Sequence, residues 1–204
     1  VYAGGVGTTS ANYLKFYPDA RASGMGDAYI GVCNDASCIW WNPAGLSGGK
    51  DAQIFTSYLM HLENVYTGYL SGAVSVKSFG TIGAGILSLG MDKIKSYDSS
   101  GNLLEDYIAN ANVINLSFAG NVSKKVAIGV TLKSIQEKIE KESAGGFAAD
   151  LGMKIAIMEN NRLGLGIVIQ NIGSKIGYNE KSDLPVVIKA GIGAKISEPL
   201  LLVL

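Results

Sequence analysis

The chain is short of charge, proline, cysteine and histidine, and each shortage excludes something. Charged residues make up 17% of the 204, against about 25% in an ordinary soluble domain, so part of the surface is expected to face something other than water. The 17 basic and 17 acidic side chains cancel, which leaves neither a nucleic-acid footprint nor a polybasic membrane patch. Cys33, Cys38 and His61 are the only cysteines and histidine, too few for a metal centre, and no cofactor is expected. The two thiols read either as small half-buried residues or as a local disulfide in an oxidising compartment. No apolar run approaches the roughly 20 residues of a spanning helix. No signal peptide is visible at Val1, which carries no information on compartment.

Motifs of enzyme chemistry are missing too. "AGLSGGKD" fails a phosphate-binding loop at both Ala44 and Asp51. The glycines of "GAG" at residues 83–85 and "GLG" at 164–166 lack the third glycine and following helix of a dinucleotide site. His61, placed near a strand end, has no Ser-Asp context for a triad. No enzymatic activity is expected.

What the chain does have is glycine, 27 residues of it, and a persistent period of two. Val126, Ile128, Val130 and Leu132 alternate with Ala127, Gly129, Thr131 and Lys133; Ile188, Ala190 and Ile192 alternate with Lys189, Gly191 and Gly193. This is the signature of strands with one aliphatic face and one small or polar face. About eight strands are expected, near residues 52–61, 65–78, 81–90, 108–122, 126–136, 147–157, 162–171 and 186–196. After Pro199, "LLLVL" reads as the start of another strand, so residues 51–204 are expected to be a partial up-and-down barrel continuing beyond the C-terminus.

Alternation is symmetric, so it leaves two classes open: a soluble β-barrel binding protein with the aliphatic face inside, or a membrane barrel with it outside. The links favour the second. Tight ones ("KSFGT", "NVSKK", "IMENNRL", "KISEPL") alternate with long polar ones ("GMDKIKSYDSSGNLLEDY", "QEKIEKESAGG", "NIGSKIGYNEKSDLP"), the rhythm of periplasmic turns and outer loops. Lys77, Lys133, Lys154, Lys189 and Lys195 keep to the small face, where a lumen would spare them the lipid penalty of about 2–4 kcal/mol. The expected fold is therefore all-β, a transmembrane antiparallel β-barrel. Lys133, Asp150, Lys154 and Lys189 face its lumen, with Asp150 paired to Lys154 in a charged wall.

Residues 1–50 do not alternate. Gly24, Gly26 and Gly31 precede Asp35, which is expected to N-cap a helical turn over residues 36–41. Pro43 should end that turn at Asn42, and Gly45 can supply a left-handed exit. So irregular a backbone cannot face lipid. It must stay in the periplasm or lie inside the barrel, where irregular backbone is tolerated. Arg21 and Asp35 are expected to pair across it as a buried ion pair.

"RASGMGDA" from Arg21, "NDAS" from Asn34, "WNPAGL" from Trp41, "AADLGMK" at residues 148–154, "QNIGSKI" at 170–176 and "DLPVVIKAGIGAKI" from Asp183 together resemble the PorV/PorQ family of FadL-like outer-membrane barrels. Cys33 and Cys38 stand where small residues such as alanine would be expected. The resemblance implies a roughly fourteen-stranded barrel in the bacterial outer membrane, contacting its lipid, with the N-terminal segment as a hatch in its lumen. On that reading Trp40 and Trp41 are expected to wedge the hatch against the wall at its periplasmic end, with their indole N–H groups on lumen polar partners. It also implies a role in type IX secretion, with secreted protein cargo and other secretion components as partners. The same-fold alternative is a FadL-like channel for hydrophobic small molecules.

Overall fold

The computed structural model describes residues 2–3, 8–49, 51–77, 79–103, 105–158, 163–195 and 201–203. Ten strands form one antiparallel sheet: β1 (Tyr2–Ala3), β2 (Ala52–Met60), β3 (Val65–Val76), β4 (Gly80–Met91), β5 (Ala109–Asn121), β6 (Val126–Ile139), β7 (Glu142–Ala156), β8 (Leu163–Gly173), β9 (Val187–Lys195) and β10 (Leu201–Val203). From β2 to β9 each strand pairs with its sequence neighbour, the up-and-down order that alternating strands joined by direct links produce. β1 and β10 both pair with β9, so the first residues join the sheet rather than the segment it encloses. Among the described residues the sheet is not closed.

The aliphatic rows face outward. Ile128 is 51% exposed and Leu132 59%, while Thr131 and Lys133, on the opposite face of the same strand, are buried. Ile54, Leu70, Ile86, Leu116 and Leu151 are exposed in the same way. The inner face covers residues 8–49, which hold α1 (Ala20–Gly24), α2 (Cys38–Trp41) and two short 3-10 helices (Asn12–Lys15 and Pro43–Gly48).

Curvature follows from who touches α2. Ser71 of β3 donates to the Ala36 carbonyl, Gly83 of β4 lies against the Ile39 side chain, Thr131 of β6 donates to the Ile39 carbonyl and Gln170 of β8 to that of Trp40. Laid flat, β3 and β8 would stand about 24 Å apart at ~4.8 Å per strand. The five residues they reach, from Ala36 to Trp40, extend only about 8 Å as helix. The sheet must wrap around them, so the fold is barrel-like.

Two expectations about the strands need correcting. The long link over residues 136–146 does not exist: β6 and β7 run on through it and turn at Glu140 and Lys141, with Glu140 at φ 56°. Its charged residues are the polar ends of a ribbon, not a loop. The long links are therefore residues 92–108 and 174–186, and the strict short–long rhythm fails. The inner face is also less polar than expected, because Leu87, Val113, Ile135 and Val168 point inward and are buried. They supply apolar partners for the enclosed segment. Residues 159–162 and 196–200, on which two of the expected tight links and Pro199 fall, lie outside the described residues, as does the Lys195 side chain.

Candidate functional site

The enclosed segment starts beside the long links and descends along the concave face to β2. Near its beginning Ser10 N–H donates to the Asp183 carbonyl at 3.0 Å, and Leu14 packs with Ile176 and Leu184. Asp19 N-caps α1, its Oδ1 accepting from Arg21 N (2.9 Å) and Ala22 N (3.1 Å), an interaction that "PDARA" signals and sequence reasoning missed. α1 ends at Gly24, and Gly26 takes the left-handed conformation at φ 62° that turns the chain.

Asp35 is not the N-cap expected of it: Ser37 is, α2 begins at Cys38, and Asp35 Oδ1 fixes that cap by accepting from Ser37 N (2.9 Å) and Ser37 Oγ (2.6 Å). Asn42 ends α2 in an extended conformation, φ −153°, ahead of Pro43. Gly45 is no left-handed exit. It lies inside the 3-10 helix, where an added Cβ would collide with Cys33 Sγ and approach Cys38 Sγ at 2.7 Å. Both cysteines are free thiols and fully buried rather than half-buried. Arg21 and Asp35 pair at 3.5 Å, but their side chains are 51% and 34% exposed. This is a surface pair, worth under about 1 kcal/mol, and not the buried one expected. Tyr29 Oη anchors it, donating to Asp35 at 2.8 Å.

The tryptophans sit mid-height on the wall, not at the short-turn end. Trp40 meets Tyr69 edge-on (5.8 Å) in the body of β3 and donates from Nε1 to the Phe16 carbonyl at 2.9 Å. Trp41 stacks on Tyr17 (4.2 Å) and meets Tyr29 edge-on (5.8 Å), and its Nε1 is buried without a partner among the described residues. The expected lumen partners for the indole N–H groups are found for neither ring, since the Trp40 partner is a carbonyl of the enclosed segment itself. Trp41 gains its stability from aromatic area instead, with Lys189 Nζ 3.5 Å from the Tyr17 ring centroid and 5.2 Å from its own.

A helix as short as α2 has no intrahelical partner for its last carbonyls, and inside the sheet water cannot serve them. Wall side chains do. Gln170 Nε2 donates to the carbonyls of Trp40 (2.8 Å) and Trp41 (3.3 Å), and Thr131 Oγ1 to that of Ile39 (3.1 Å). Asn42 Nδ2 returns the exchange, donating to Ile30 and to Met153 of β7 at 3.2 Å each. The polar inner residues thus match the enclosed backbone rather than a solvent channel.

Lys133 and Asp150 form the buried centre of this wall, with Nζ and Oδ2 2.7 Å apart and side chains 1% and 0% exposed. The expected Asp150–Lys154 pair is not made. Lys154 instead donates to the Cys33 carbonyl at 2.7 Å. Asn171, not foreseen from the sequence, completes the network: its Oδ1 accepts from Lys133 Nζ and its N–H donates to Asp150 Oδ1, each at 2.8 Å. A β-bulge makes this possible. Between the pairs Ala149–Ile172 and Leu151–Ile169 the β8 side carries one extra residue, and Asn171 takes φ 63°. Both Gln170 and Asn171 therefore point inward. Lys133 Nζ also lies 4.7 Å from the Trp40 ring centroid, tying the charge centre to the enclosed helix. Asn115, opposite Lys133 on β5, is buried, and neither of its carboxamide atoms has a partner among the described residues.

Fold and site together define a class: a barrel-like antiparallel sheet, aliphatic outside, whose concave face is filled by its own N-terminal segment. A family model described as type IX secretion system protein PorV matches residues 4–194, and the chain belongs to that family. A search of curated proteins returned no match. Membership ties the chain to type IX secretion and its components.

Proposed function

We propose that the chain is an outer-membrane barrel that carries secreted protein cargo in type IX secretion, without enzymatic activity, and that its N-terminal segment is a resident hatch. The supporting observation is the outer face. Tyr58 and Tyr66 stack at 6.1 Å near the long-link end, and Phe79 and Phe118 meet at 5.2 Å at the other. From Tyr66 to Val76, beside the second pair, the strand covers roughly 34 Å. At a barrel tilt of ~40° that is about 26 Å of height, the apolar band between aromatic girdles of an outer-membrane barrel. A soluble protein would not leave so large an apolar surface uncovered.

Leu132, paired with Leu116 across β5 and β6, lies inside this band. Leu132→Arg is expected to cost about 2–4 kcal/mol of assembled barrel, read as the loss of the folded band in heat-modifiability gels of outer membranes. A fully assembled L132R protein would place the aliphatic face in water.

With the concave face filled, cargo contact falls to the long links. In residues 92–108, Tyr97 and Leu103 are exposed (56% and 62%) although they bridge one another. The Asn102 side-chain amide, with backbone N–H donors around it, holds the Asp98 carboxyl below its ordinary range, fixing the tip. Tyr97→Asp with Leu103→Asp should lower surface delivery of type IX cargo several-fold at an unchanged barrel level. The hydrophobic-channel reading has one observation in its favour, a cavity of about 780 Å³ with Val76, Phe79, Phe118 and Val122 in its lining. Normal cargo delivery in the loop variant, with loss of hydrophobic-solute uptake on filling that cavity, would decide for the channel.

A further inference from the structure

At the short-turn end a second cavity, about 630 Å³, opens between the enclosed segment and the wall. Among the described residues four cations line it, Arg21 from α1, Lys124 and Lys125 from the link between β5 and β6, and Lys154 from β7, and the described lining holds no carboxylate. In a chain whose charges cancel, this is a local excess built from three separate parts of the fold. Arg21 shares one guanidinium nitrogen with Asp35. Lys154 uses one proton on the Cys33 carbonyl, which fixes its ammonium and leaves two donors free. Lys124 and Lys125 are exposed on a link that Ser123 organises by accepting from the N–H groups of Lys125 and Val126. Gly31 and Gly164, packed close enough that a Cβ on Gly164 would sit 3.1 Å from the Gly31 carbonyl, keep the floor free of side chains.

We propose that this cavity binds an anion carrying at least two phosphate groups. Its volume suits a small-molecule ligand. One planar guanidinium and three ammonium groups match phosphate oxygens, the first as a fork and the others as point charges. A single carboxylate would leave most of that charge unneutralised. Soluble pyrophosphate-like anions and phosphorylated lipid headgroups share this chemistry. The inference stands on the cavity alone and is independent of what the long links carry.

The test is calorimetric titration of the detergent-solubilised chain with inorganic pyrophosphate and, separately, with a short-chain diacylglycerol pyrophosphate. Saturable, submillimolar binding is expected, weakened about tenfold or more, 1.4 kcal/mol, in K124Q/K125Q, and weakened by added salt. Both substitutions lie on an exposed link, and an unchanged folded band confirms the barrel. K138Q/K141Q, at the opposite end of the sheet, should bind as the parent does. Binding of pyrophosphate, alone or equally with the lipid, points to a soluble phosphate, and binding of the diacylglycerol pyrophosphate alone to a lipid headgroup. Either supports the site. No saturable binding of either probe, equal binding by K124Q/K125Q, or equal affinity for an acidic peptide without phosphate overturns it.

Discussion

Asp150→Ala is expected to destabilise the fold by about 3–5 kcal/mol, because it leaves the Lys133 ammonium buried and uncompensated. The pair has no water to fall back on: both side chains are essentially unexposed. Removing the carboxylate also orphans the Asn171 N–H, which donates to Asp150 Oδ1, at a residue held at φ 63°. Lys133→Met should cost a similar amount. The double variant Lys133→Met with Asp150→Leu takes away both charges and should recover most of the loss, leaving about 1–3 kcal/mol for the unsatisfied Asn171 amide. Urea unfolding followed by tryptophan emission reads all three, since the only two tryptophans sit in the enclosed segment. Single-variant losses that simply add in the double variant would mean that the two charges are not a coupled pair.

Why this centre was hidden in the sequence is instructive. Strand period placed Lys133 and Asp150 on the concave side, and the eight expected strands lie within a few residues of β2 to β9 except where β6 and β7 extend through residues 136–146. Side-chain parity does not give partners, however. Asp150 lies opposite Thr131, which makes Lys133 a diagonal neighbour across the β6–β7 pair, whereas Lys154 lies four residues along its own strand, too far to reach. Asn171 was beyond any alternation argument, because the bulge turns two consecutive residues of β8 inward. The apolar inner residues Leu87, Val113 and Ile135 were masked for a related reason: with both faces of a strand aliphatic, period two loses contrast. The N-terminal motif was legible as a compact, non-alternating unit ending at Pro43. Its height on the wall was not, since that depends on which strands curve toward it. Gly45 shows the same limit, because glycine in sequence cannot distinguish a left-handed turn from a place with no room for a Cβ.

The second large effect concerns such a place. Gly129 and Gly152 face each other across β6 and β7, and the backbone of the enclosed segment rests on both. A Cβ on Gly129 would lie 2.5 Å from Ala44 N and 2.7 Å from the Pro43 carbonyl oxygen; one on Gly152 would overlap Asn42 Oδ1. The obstructing atoms at Gly129 are main chain, so no rotamer change can relieve the collision. Each Gly→Val substitution is expected to cost about 1–3 kcal/mol, occasionally more, and the pair should lever Asn42 and Pro43 off the wall. That breaks the Asn42 Nδ2 bond to Met153 and exposes Trp40 and Trp41, which are now buried. The strands need not unfold, because their ladder bonds do not pass through the enclosed segment. G129V/G152V should therefore keep its β-sheet circular dichroism while tryptophan emission shifts to the red and becomes quenchable by acrylamide. Ile128→Ala, one residue away on the outer face, should leave the emission unchanged. An unshifted, unquenched emission in G129V/G152V would mean that the N-terminal segment does not seat on these glycines.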